Sequence, residues 1–433
     1  MILIYLNTKT PRVCYAMDVV FKDVLNTPYE LTTDLNYFEK SSNPKFVYAN
    51  ESNNAKVFIL ANSLLFETGI KQFKPCADKS YSDFPHFFAS NTNDFLGYDV
   101  FSMVFYFVSR YEEYLDSEKD SHQRFKAENS LSFQYQCLSK PFLNHAIFDF
   151  SEKLKSVFPE LIFEKRTFNF VSTIDIDNAF AYSHKGLRRN VGGFFKDLAN
   201  LKCKHIFRRI ISNINDLRDP YNTFETINAI TNKYKATLKY FILIGDYSKY
   251  DKNPHYKNKG FRRLLKSLSK NHELGLHPSY QSFEDFEKIK IEQNRLSEIL
   301  EKKVAMSRCH FLRVNIQDTY RTLVKQGITD DYTMIFASQS GFRTGLCMPF
   351  KWFDIANNKA TNLTIHTSVV MEGTLRDYKK YNKQEATNEC LSLLNEVKNY
   401  GGEFISIFHN DTFVAEQTEW VELYETILKE IEN

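Results

Sequence analysis

The sequence predicts an α/β fold with a parallel sheet over most of its length. The clearest strand, FNFVSTIDID at 168–177, is apolar on both faces and ends abruptly in two carboxylates, Asp175 and Asp177. Such a run is typical of a strand covered on both faces by helices. From this strand onward, strand-like segments alternate with helical ones. That alternation indicates a parallel sheet that is either doubly wound or closed as a barrel.

A smaller domain is predicted to precede this sheet, over residues 1–165. Strands are predicted at 1–6 and 56–60. Helices are predicted at 99–115, where apolar residues recur at helical spacing, and at 144–157. The sequence therefore predicts an α+β domain here, and its charged residues do not form a recognisable catalytic set.

The second predicted domain spans 166–433. Its strands and helices are expected, in order, at 168–175, 238–244, 273–276, 284–302 (helix), 304–308, 317–326 (helix), 364–371 and 403–408. None of these strands is followed by a glycine-rich phosphate loop, which argues against nucleotide-dependent chemistry.

Composition narrows the classes of function. The chain of 433 residues has 56 Lys and Arg against 53 Asp and Glu, a net charge of +3 that does not suggest a nucleic-acid-binding protein. Its seven cysteines are scattered singly, which favours a reducing compartment over a disulfide framework. We recognise neither a secretory signal nor an apolar run long enough to cross a membrane. The sequence thus predicts a cytoplasmic protein without a transmembrane segment.

One segment, 184–210, is locally basic. It carries eight Lys and Arg residues with apolar residues between them. A run of this kind is usually a solvated helix face, but it can also bind phosphate or a lipid carrier, or lie peripherally on an anionic membrane.

Polar residues follow several predicted strands. Asp175 and Asp177 leave the same face of their strand, about 7 Å apart, at the end where α/β proteins place ligands. They could instead cap the next helix or bind an arginine. In NHELGLHPSYQS at 271–282, His272 and His277 point to opposite faces, so His277, at the strand end, is the better candidate for a functional histidine.

Later strand ends repeat this pattern in the segments SRCHFLRV, ITDDYTM, SGFRTGLCMPF and EFISIFHND. Helix capping would favour Ser, Thr, Asp and Asn rather than His and Arg. The polar residues concerned are Arg308, His310, Arg313, Asp330, Asp331, Arg343, His409, Asn410 and Asp411.

The order of TIDID, HELGLHPSYQ, RCHFLR, DDYTM, GFRTGLCMPF and FISIFHND resembles the polysaccharide deacetylase family, in its nodulation-factor deacetylase-like branch of carbohydrate esterases. The first domain resembles an extra domain that precedes the catalytic one in Bacteroidetes-like members. The resemblance implies a distorted (β/α) barrel and a divalent metal, most often zinc, held by one Asp and two His.

Carried over by motif, the resemblance implies roles for individual residues. Asp175 would be the catalytic base, and Asp177 and His277 would be metal ligands. Supporting roles are implied for Arg308, which would orient the base, and for Asp331, while His409 would be the catalytic acid. Substrate contacts are expected from Arg343, Arg313 and Ser279.

One position departs from the family pattern. Gln281 stands where the second metal histidine is expected, and Gln is a poor zinc ligand. His310 could supply the missing imidazole, or Ser279 and Ser282 could hold a water. Cys309 and His310 also stand where the family has prolines.

Two functions are therefore open from the sequence. The first is metal-dependent deacetylation of an N-acetylated sugar in a bacterial polysaccharide or its lipid-linked precursor. The second is a catalytically silent deacetylase-like module that binds glycan or acts in polysaccharide assembly. Both make a carbohydrate the expected partner, and neither involves nucleic acid.

Overall fold

The computed structural model describes residues 1–78, 84–90 and 94–431. The chain divides into two compact units, each built from separate stretches of sequence. Unit 1 comprises Met1–Asn169, Gly341–Thr367 and Leu393–Glu403, and unit 2 comprises Phe170–Ser340, Ser368–Ser392 and Phe404–Asn433. The first change of unit lies close to the boundary predicted at 165. The two later segments of unit 1 differ from the prediction, which placed them in the second domain.

Unit 1 is built on a four-stranded parallel sheet of order β2-β1-β3-β4. Its strands are β1 (Ile2–Leu6), β2 (Tyr29–Thr32), β3 (Lys45–Ala49) and β4 (Phe58–Leu60). Helix α1 (Pro11–Met17) connects β1 to β2, and α2 (Leu35–Lys40) connects β2 to β3. This alternation is an α/β arrangement, so the predicted α+β class is wrong for the sheet. β2 and β3 were missed, and β2 is only half-buried, so it lacks a strong apolar pattern.

Unit 1 also contains a buried helix, α3 (Val100–Val108), together with several further elements. These are β5 (Ala77–Asp78), β6 (His86–Phe87), α4 (Leu131–Gln134), α5 (Phe142–Val157) and the antiparallel pair β12 (Phe350–Asp354) and β13 (Lys359–Ile365). All nine residues of α3 are buried. The ring of Phe353 on β12 packs against Tyr15 and Phe105, with centroids 4.9 and 5.2 Å away. The later segment of the chain is thus part of the unit 1 core.

The predicted helix at 99–115 ends early because Arg110 adopts a left-handed conformation with φ of 56°. Its buried guanidinium binds Glu113 at 2.7 Å and Glu112 at 2.8 Å. Glu113 also binds Arg343 at 2.6 Å, and both side chains of this pair are buried. The structure therefore places Arg343 in an ionic cluster of unit 1, and its role in substrate binding stays a prediction.

Unit 2 contains a parallel sheet of order β11-β10-β9-β8-β7-β15-β14. Register assigns parallel pairing to β7–β8, β8–β9, β9–β10, β10–β11 and β14–β15. The strands are β7 (Asn169–Ile176), β8 (Thr237–Leu243), β9 (Glu273–His277), β10 (Met306–Ser307), β11 (Asp330–Asp331), β14 (Val370–Met371) and β15 (Glu403–His409). The parallel α/β class is confirmed, while closure into a barrel stays a prediction. The strand predicted at 364–371 is wrong in part, because residues 366–369 separate β13 from β14.

Helices connect the strands of unit 2. They are α6 (Leu187–Ala199), α7 (Cys203–Ile214), α8 (Phe224–Lys233), α9 (Lys259–Leu268), α10 (Glu287–Leu300), α11 (Ile316–Lys325), α12 (Lys383–Tyr400) and α13 (Thr418–Lys429), of which α12 ends in unit 1. The helices predicted at 284–302 and 317–326 are confirmed as α10 and α11. Among the described residues, the helices are all too short or too polar to cross a bilayer.

The ionic cluster of unit 1 gives a stability prediction. Replacing Glu113 with Gln should leave two buried guanidinium groups short of negative charge, which typically costs about 3 kcal/mol. The midpoint of urea denaturation should fall clearly. Glu160→Gln, an exposed position of the same unit, is the control and should change stability by less than about 0.5 kcal/mol. Equal midpoints for the two variants would show that the cluster is not stabilising.

Candidate metal centre and active site

The carboxyl ends of the unit 2 strands carry the residues singled out from the sequence. Asp175 is the second-last residue of β7, and Asp177 directly follows that strand. His277 ends β9, His310 follows β10, and His409 ends β15. Because the carboxyl ends of parallel strands meet at one edge of the sheet, side chains far apart in sequence come together there.

Two imidazoles converge on the Asp177 carboxylate. Nε2 of His277 lies 3.2 Å from Oδ1, and Nε2 of His310 lies 3.3 Å from Oδ2. One oxygen of Asp177 and one nitrogen of each ring all lie within 4.8 Å of one another. Nε2 of His409 is 3.8 Å from Oδ2, at the border of this group. The three closest residues have the separations needed to share one metal ion.

Each of the three imidazoles is held through its other nitrogen. Nδ1 of His277 donates to the backbone carbonyl of Arg308 at 2.5 Å. Nδ1 of His310 donates to Asp251 at 2.9 Å, and Nδ1 of His409 donates to Glu372 at 2.6 Å. These partners are acceptors, so they keep the ring proton on Nδ1. In the neutral rings, Nε2 therefore offers a lone pair toward Asp177, which is the tautomer that metal sites use.

The donor set fits a divalent metal. When both rings are neutral and carry their protons on Nδ1, the Nε2 lone pairs of His277 and His310 face the oxygens of Asp177, an arrangement that is favourable only with a proton or a metal ion between them. Oδ1 of Asp177 is buried and receives no hydrogen bond from a described residue. One carboxylate and two imidazoles are ligands that zinc accepts in catalytic sites, where a further position stays open.

The charges of Asp177 and the surrounding histidines also favour a bound cation. Burial would raise the pKa of Asp177, but His310, His277 and His409 hold the pKa of this carboxyl well below its usual range. Burial would lower the pKa of His310, yet Asp177 and Asp251 raise that pKa to about 9. The cluster thus attracts positive charge, as protons or as a metal ion.

His310 reaches this position through an unusual backbone. The two residues after it, Phe311 and Leu312, both have left-handed conformations, with φ of 58° and 56°. Such conformations are unfavourable for residues other than glycine and concentrate at functional sites. The amide of His310 donates to the carbonyl of Pro278 at 3.0 Å, which fixes its ring beside His277.

The other residues considered from the sequence for the third metal position either are exposed or bond to other protein groups. Gln281 is exposed on the turn after β9. Ser282 Oγ donates to the carbonyl of Ser279 at 2.6 Å. The amide of Ser279 donates to Glu292 at 2.9 Å, and its hydroxyl also pairs with this buried carboxylate. The side chain of Ser279 therefore pairs with Glu292 inside the protein, and its contact with substrate stays a prediction.

Asp175 is held from below by a buried arginine. Nη1 of Arg308 donates to Asp175 Oδ1 at 2.8 Å and to the Thr173 hydroxyl at 2.7 Å. Its Nε donates to the carbonyl of Tyr332 at 3.1 Å, and its Cζ lies 4.4 Å from the centre of the Phe241 ring. The guanidinium is fully buried, so the position of the Asp175 carboxylate is fixed by a charge that has no contact with water.

Two further predicted residues have structural partners. Asp331 is buried and accepts hydrogen bonds from Ser307 at 2.7 Å and from the amide and hydroxyl of Thr333, so it braces the ends of β10 and β11. Arg313 donates to the carbonyl of Tyr280 at 2.7 Å and stacks on its ring at 3.8 Å. Arg313 is buried in this position, and its contact with substrate stays a prediction.

Sequence reasoning missed Asp251 and Glu372, the acceptors behind two of the imidazoles. Glu372 is fully buried and accepts from the His409 amide at 3.0 Å and from Thr412 at 2.8 Å. Burial would lower the pKa of His409, but Glu372 and the aspartates raise this pKa well above its usual range. The only signal for Glu372 in the sequence is an acid directly after the apolar run that becomes β14.

Comparison with known proteins gives partial matches. A family of unknown function (DUF7033) matches residues 2–159. No curated protein matches the chain. Several solved structures resemble it, among them two polysaccharide deacetylases and a CE4 family pseudoenzyme, at low identity and over part of the chain.

Three of these structures show how low the sequence identity and the TM-score are. A provisionally assigned polysaccharide deacetylase of Mycobacterium smegmatis is 13% identical with a TM-score of 0.40, over 62% of this chain and 85% of its own. A polysaccharide deacetylase of Bacillus cereus is 15% identical with a TM-score of 0.28, over 48% and 81%. A CE4 family pseudoenzyme of Bacillus anthracis is 14% identical with a TM-score of 0.26, over 60% and 62%. At these values, function has to be inferred from the side chains of this chain itself.

The geometry predicts that the protein binds one divalent ion and that His310 is required for it. His310→Ala should lose stoichiometric zinc, because two remaining ligands rarely hold the metal. Elemental analysis after dialysis against zinc, followed by removal of free metal, measures this directly. Gln281→Ala is the matched control and should keep the metal. Loss of metal in the Gln281 variant, with retention in the His310 variant, would overturn the ligand set.

Proposed function

We propose that this protein is a metal-dependent hydrolase that removes the acetyl group from an N-acetylated sugar of a bacterial polysaccharide or of its lipid-linked precursor. The observation that carries this proposal is the convergence of Asp177, His277 and His310 beside an arginine-bound Asp175 and a glutamate-bound His409. The choice of an acetylated sugar follows from the resemblance of the sequence motifs. A cytoplasmic location stays a prediction.

In this proposal Asp177, His277 and His310 hold the metal. A divalent ion at this position would polarise the acyl carbonyl and lower the pKa of a water ligand. The hydrogen bonds from both Nδ1 atoms keep the rings oriented, so that binding the ion does not require them to reorganise.

Asp175 acts as the general base. Its Oδ1 is held by Arg308, while Oδ2 lies 3.8 Å from Nε2 of His277 and can accept a proton on the side of the proposed metal. Because Arg308 is fixed by further bonds to Thr173 and Tyr332, the base keeps one position through the reaction. A fixed base and a fixed acyl group lower the barrier by avoiding reorganisation.

His409 acts as the general acid. Its ring is 24% exposed, so it can reach a substrate, and Glu372 stabilises its protonated form. When the carbon–nitrogen bond breaks, Nε2 would donate its proton to the leaving amine of the sugar. Asp175 and His409 thus differ in role because one is paired with a cation and the other with an anion.

The second candidate, a silent module that binds glycan, is favoured by Gln281 at the position of the expected metal histidine. The side chain of Gln281 is exposed on the turn after β9. His310, which follows β10, brings an imidazole to the cluster instead. The substitution at 281 therefore has a compensation within the chain, which is why we favour the hydrolase. Glycan binding without metal and without turnover would favour the silent module.

The role of Asp175 gives the first test. Asp175→Asn keeps the shape but removes the base, so the release of acetate from N-acetylated hexosamine oligosaccharides should fall by about 100-fold or more. The metal content should be unchanged, since the residue is not one of the proposed ligands. Asp285→Asn, at an exposed position of unit 2, is the control and should keep full activity. Full activity in the Asp175 variant would refute this mechanism.

Glu372 gives a second test, as a positioning residue. In Glu372→Gln the amide no longer stabilises the imidazolium of His409, so kcat should fall by roughly 100-fold while KM and metal content change little. A merely structural role would instead lower the denaturation midpoint and metal content along with kcat. Glu372→Asp, which keeps the charge, should recover part of the lost kcat.

A further inference from the structure

The connection between β7 and β8 forms a surface that nothing in the proposed chemistry uses. It consists of α6, α7 and the turn that follows, and we call residues 187–217 the helical hairpin. In the described chain, nine of the seventeen exposed large apolar side chains lie in this hairpin. They are Leu187, Val191, Phe195, Leu198, Leu201, Phe207, Ile210, Ile214 and Leu217. Such a concentration is unusual on a protein surface and marks an interaction site.

Polar side chains link the two helices of the hairpin. Arg209 on α7 binds Asp197 on α6 at 2.7 Å, and Asn213 on α7 bonds to Asn190 on α6 at 2.9 Å. The guanidinium of Arg209 lies so close to Gly193 that an added Cβ would meet it at 2.6 Å. Helix α6 has no buried residue at all. An ion pair and a hydrogen bond thus connect the two helices, while the nine apolar side chains named above remain exposed.

The exposed apolar residues follow helical spacing. On α6 they occur at Leu187, Val191, Phe195 and Leu198, three or four residues apart, with exposures of 80, 44, 62 and 49%. On α7, Phe207, Ile210 and Ile214 repeat the same spacing. Each helix therefore presents a continuous apolar stripe rather than scattered side chains.

The charge of this region is strongly positive. Residues 184–218 contain nine Lys and Arg against two Asp, in a protein whose net charge is only +3. Both aspartates are already paired, Asp197 with Arg209 and Asp216 with His184 and Arg263. Several exposed cations form no ion pair with a described residue, namely Arg188, Lys196, Lys202 and Arg218. The partner of this surface should therefore be both anionic and able to take up apolar side chains.

The base of the hairpin is fixed to loops that carry the candidate site. Arg189 on α6 donates to the carbonyls of Lys252 and Asn253 at 2.8 and 3.1 Å, next to Asp251, which holds His310. Arg208 on α7 pairs with Glu416, in the loop after β15. The hairpin thus stands on the edge of unit 2 where the strands end and where Asp177 lies.

We propose that the helical hairpin docks on the surface of an anionic lipid bilayer, with its apolar stripes in the interfacial region and its Lys and Arg residues at the headgroups. Amphipathic helices bind in this way through apolar burial together with attraction to acidic lipids. A second copy of the chain fits less well, because a two-fold contact would bring this positive surface against itself. Nucleic acid would leave the apolar stripes without a partner. The proposal does not depend on the catalytic role of unit 2.

Vesicle sedimentation with the full-length protein tests the proposal. The protein should sediment with vesicles of phosphatidylcholine and phosphatidylglycerol, and hardly at all with vesicles of phosphatidylcholine alone. The triple variant Arg188→Glu, Lys196→Glu and Lys202→Glu should lower the partition coefficient by at least about 100-fold, since each basic residue contributes about fivefold near such a surface. High salt should weaken binding in the same direction.

A second variant separates the apolar contribution. Phe195→Ser combined with Phe207→Ser changes two exposed positions, so the fold should be preserved, and the partition coefficient should fall by at least about tenfold. The matched controls are Ile291→Ser and Lys290→Glu on α10, which are also exposed and should bind as the wild type does.

Two outcomes would overturn the proposal. One is sedimentation that is equal for neutral and anionic vesicles or unchanged in both hairpin variants. The other is a dimer in analytical ultracentrifugation that Phe195→Ser and Phe207→Ser abolish, since the hairpin would then bind a second copy.

Discussion

The candidate site depends on one buried cation, the guanidinium of Arg308. It has no exposure to solvent, and it joins β10 to β7 through Thr173 and Asp175. A buried charge without partners would be strongly destabilising, so the surrounding groups must keep their positions for the unit to fold. Gly275 on β9 contributes to this, because a Cβ there would lie 2.6 Å from the Phe241 ring on which Arg308 rests. The packing around Arg308 that unit 2 needs in order to fold therefore also positions Asp175.

The orientation of the three imidazoles is set by the acceptors that bind their Nδ1 atoms. Each uses Nδ1 to bind an acceptor from another segment, which leaves Nε2 directed toward Asp177. His310 comes from the segment after β10, while Gln281 lies on the turn after β9. The left-handed residues Phe311 and Leu312 follow His310 directly. Side chains from separate segments can supply one set of donor atoms, because a metal ion responds to geometry and not to sequence position.

The sequence predicts the parts of this arrangement that depend on local pattern. Apolar runs that end in Asp175, His277 and His409 indicate buried strands with functional ends, and the structure brings those ends together. Asp251 and Glu372 could not be predicted, because an acceptor behind a ring has no periodicity and is identified only once the chain has folded.

Arg343 illustrates an ion pair that sequence reasoning does not predict. Its partner in unit 1, Glu113, lies far away in the chain. Ser279 likewise turns toward Glu292. Charged residues near a motif are thus ambiguous from sequence, since ion pairs with distant segments use the same residue types as binding sites do.

The interleaved units have a consequence for how such a protein can evolve. The chain changes unit five times, and the strand that carries Phe353 belongs to the core of unit 1 although it lies far downstream in the gene. No single cut separates the two units into contiguous fragments, so a fragment starting at residue 170 would carry apolar surface from β12 without its partners. A single exchange of sequence at any point would therefore divide at least one of the two units, so the residues on both sides of that point are constrained together.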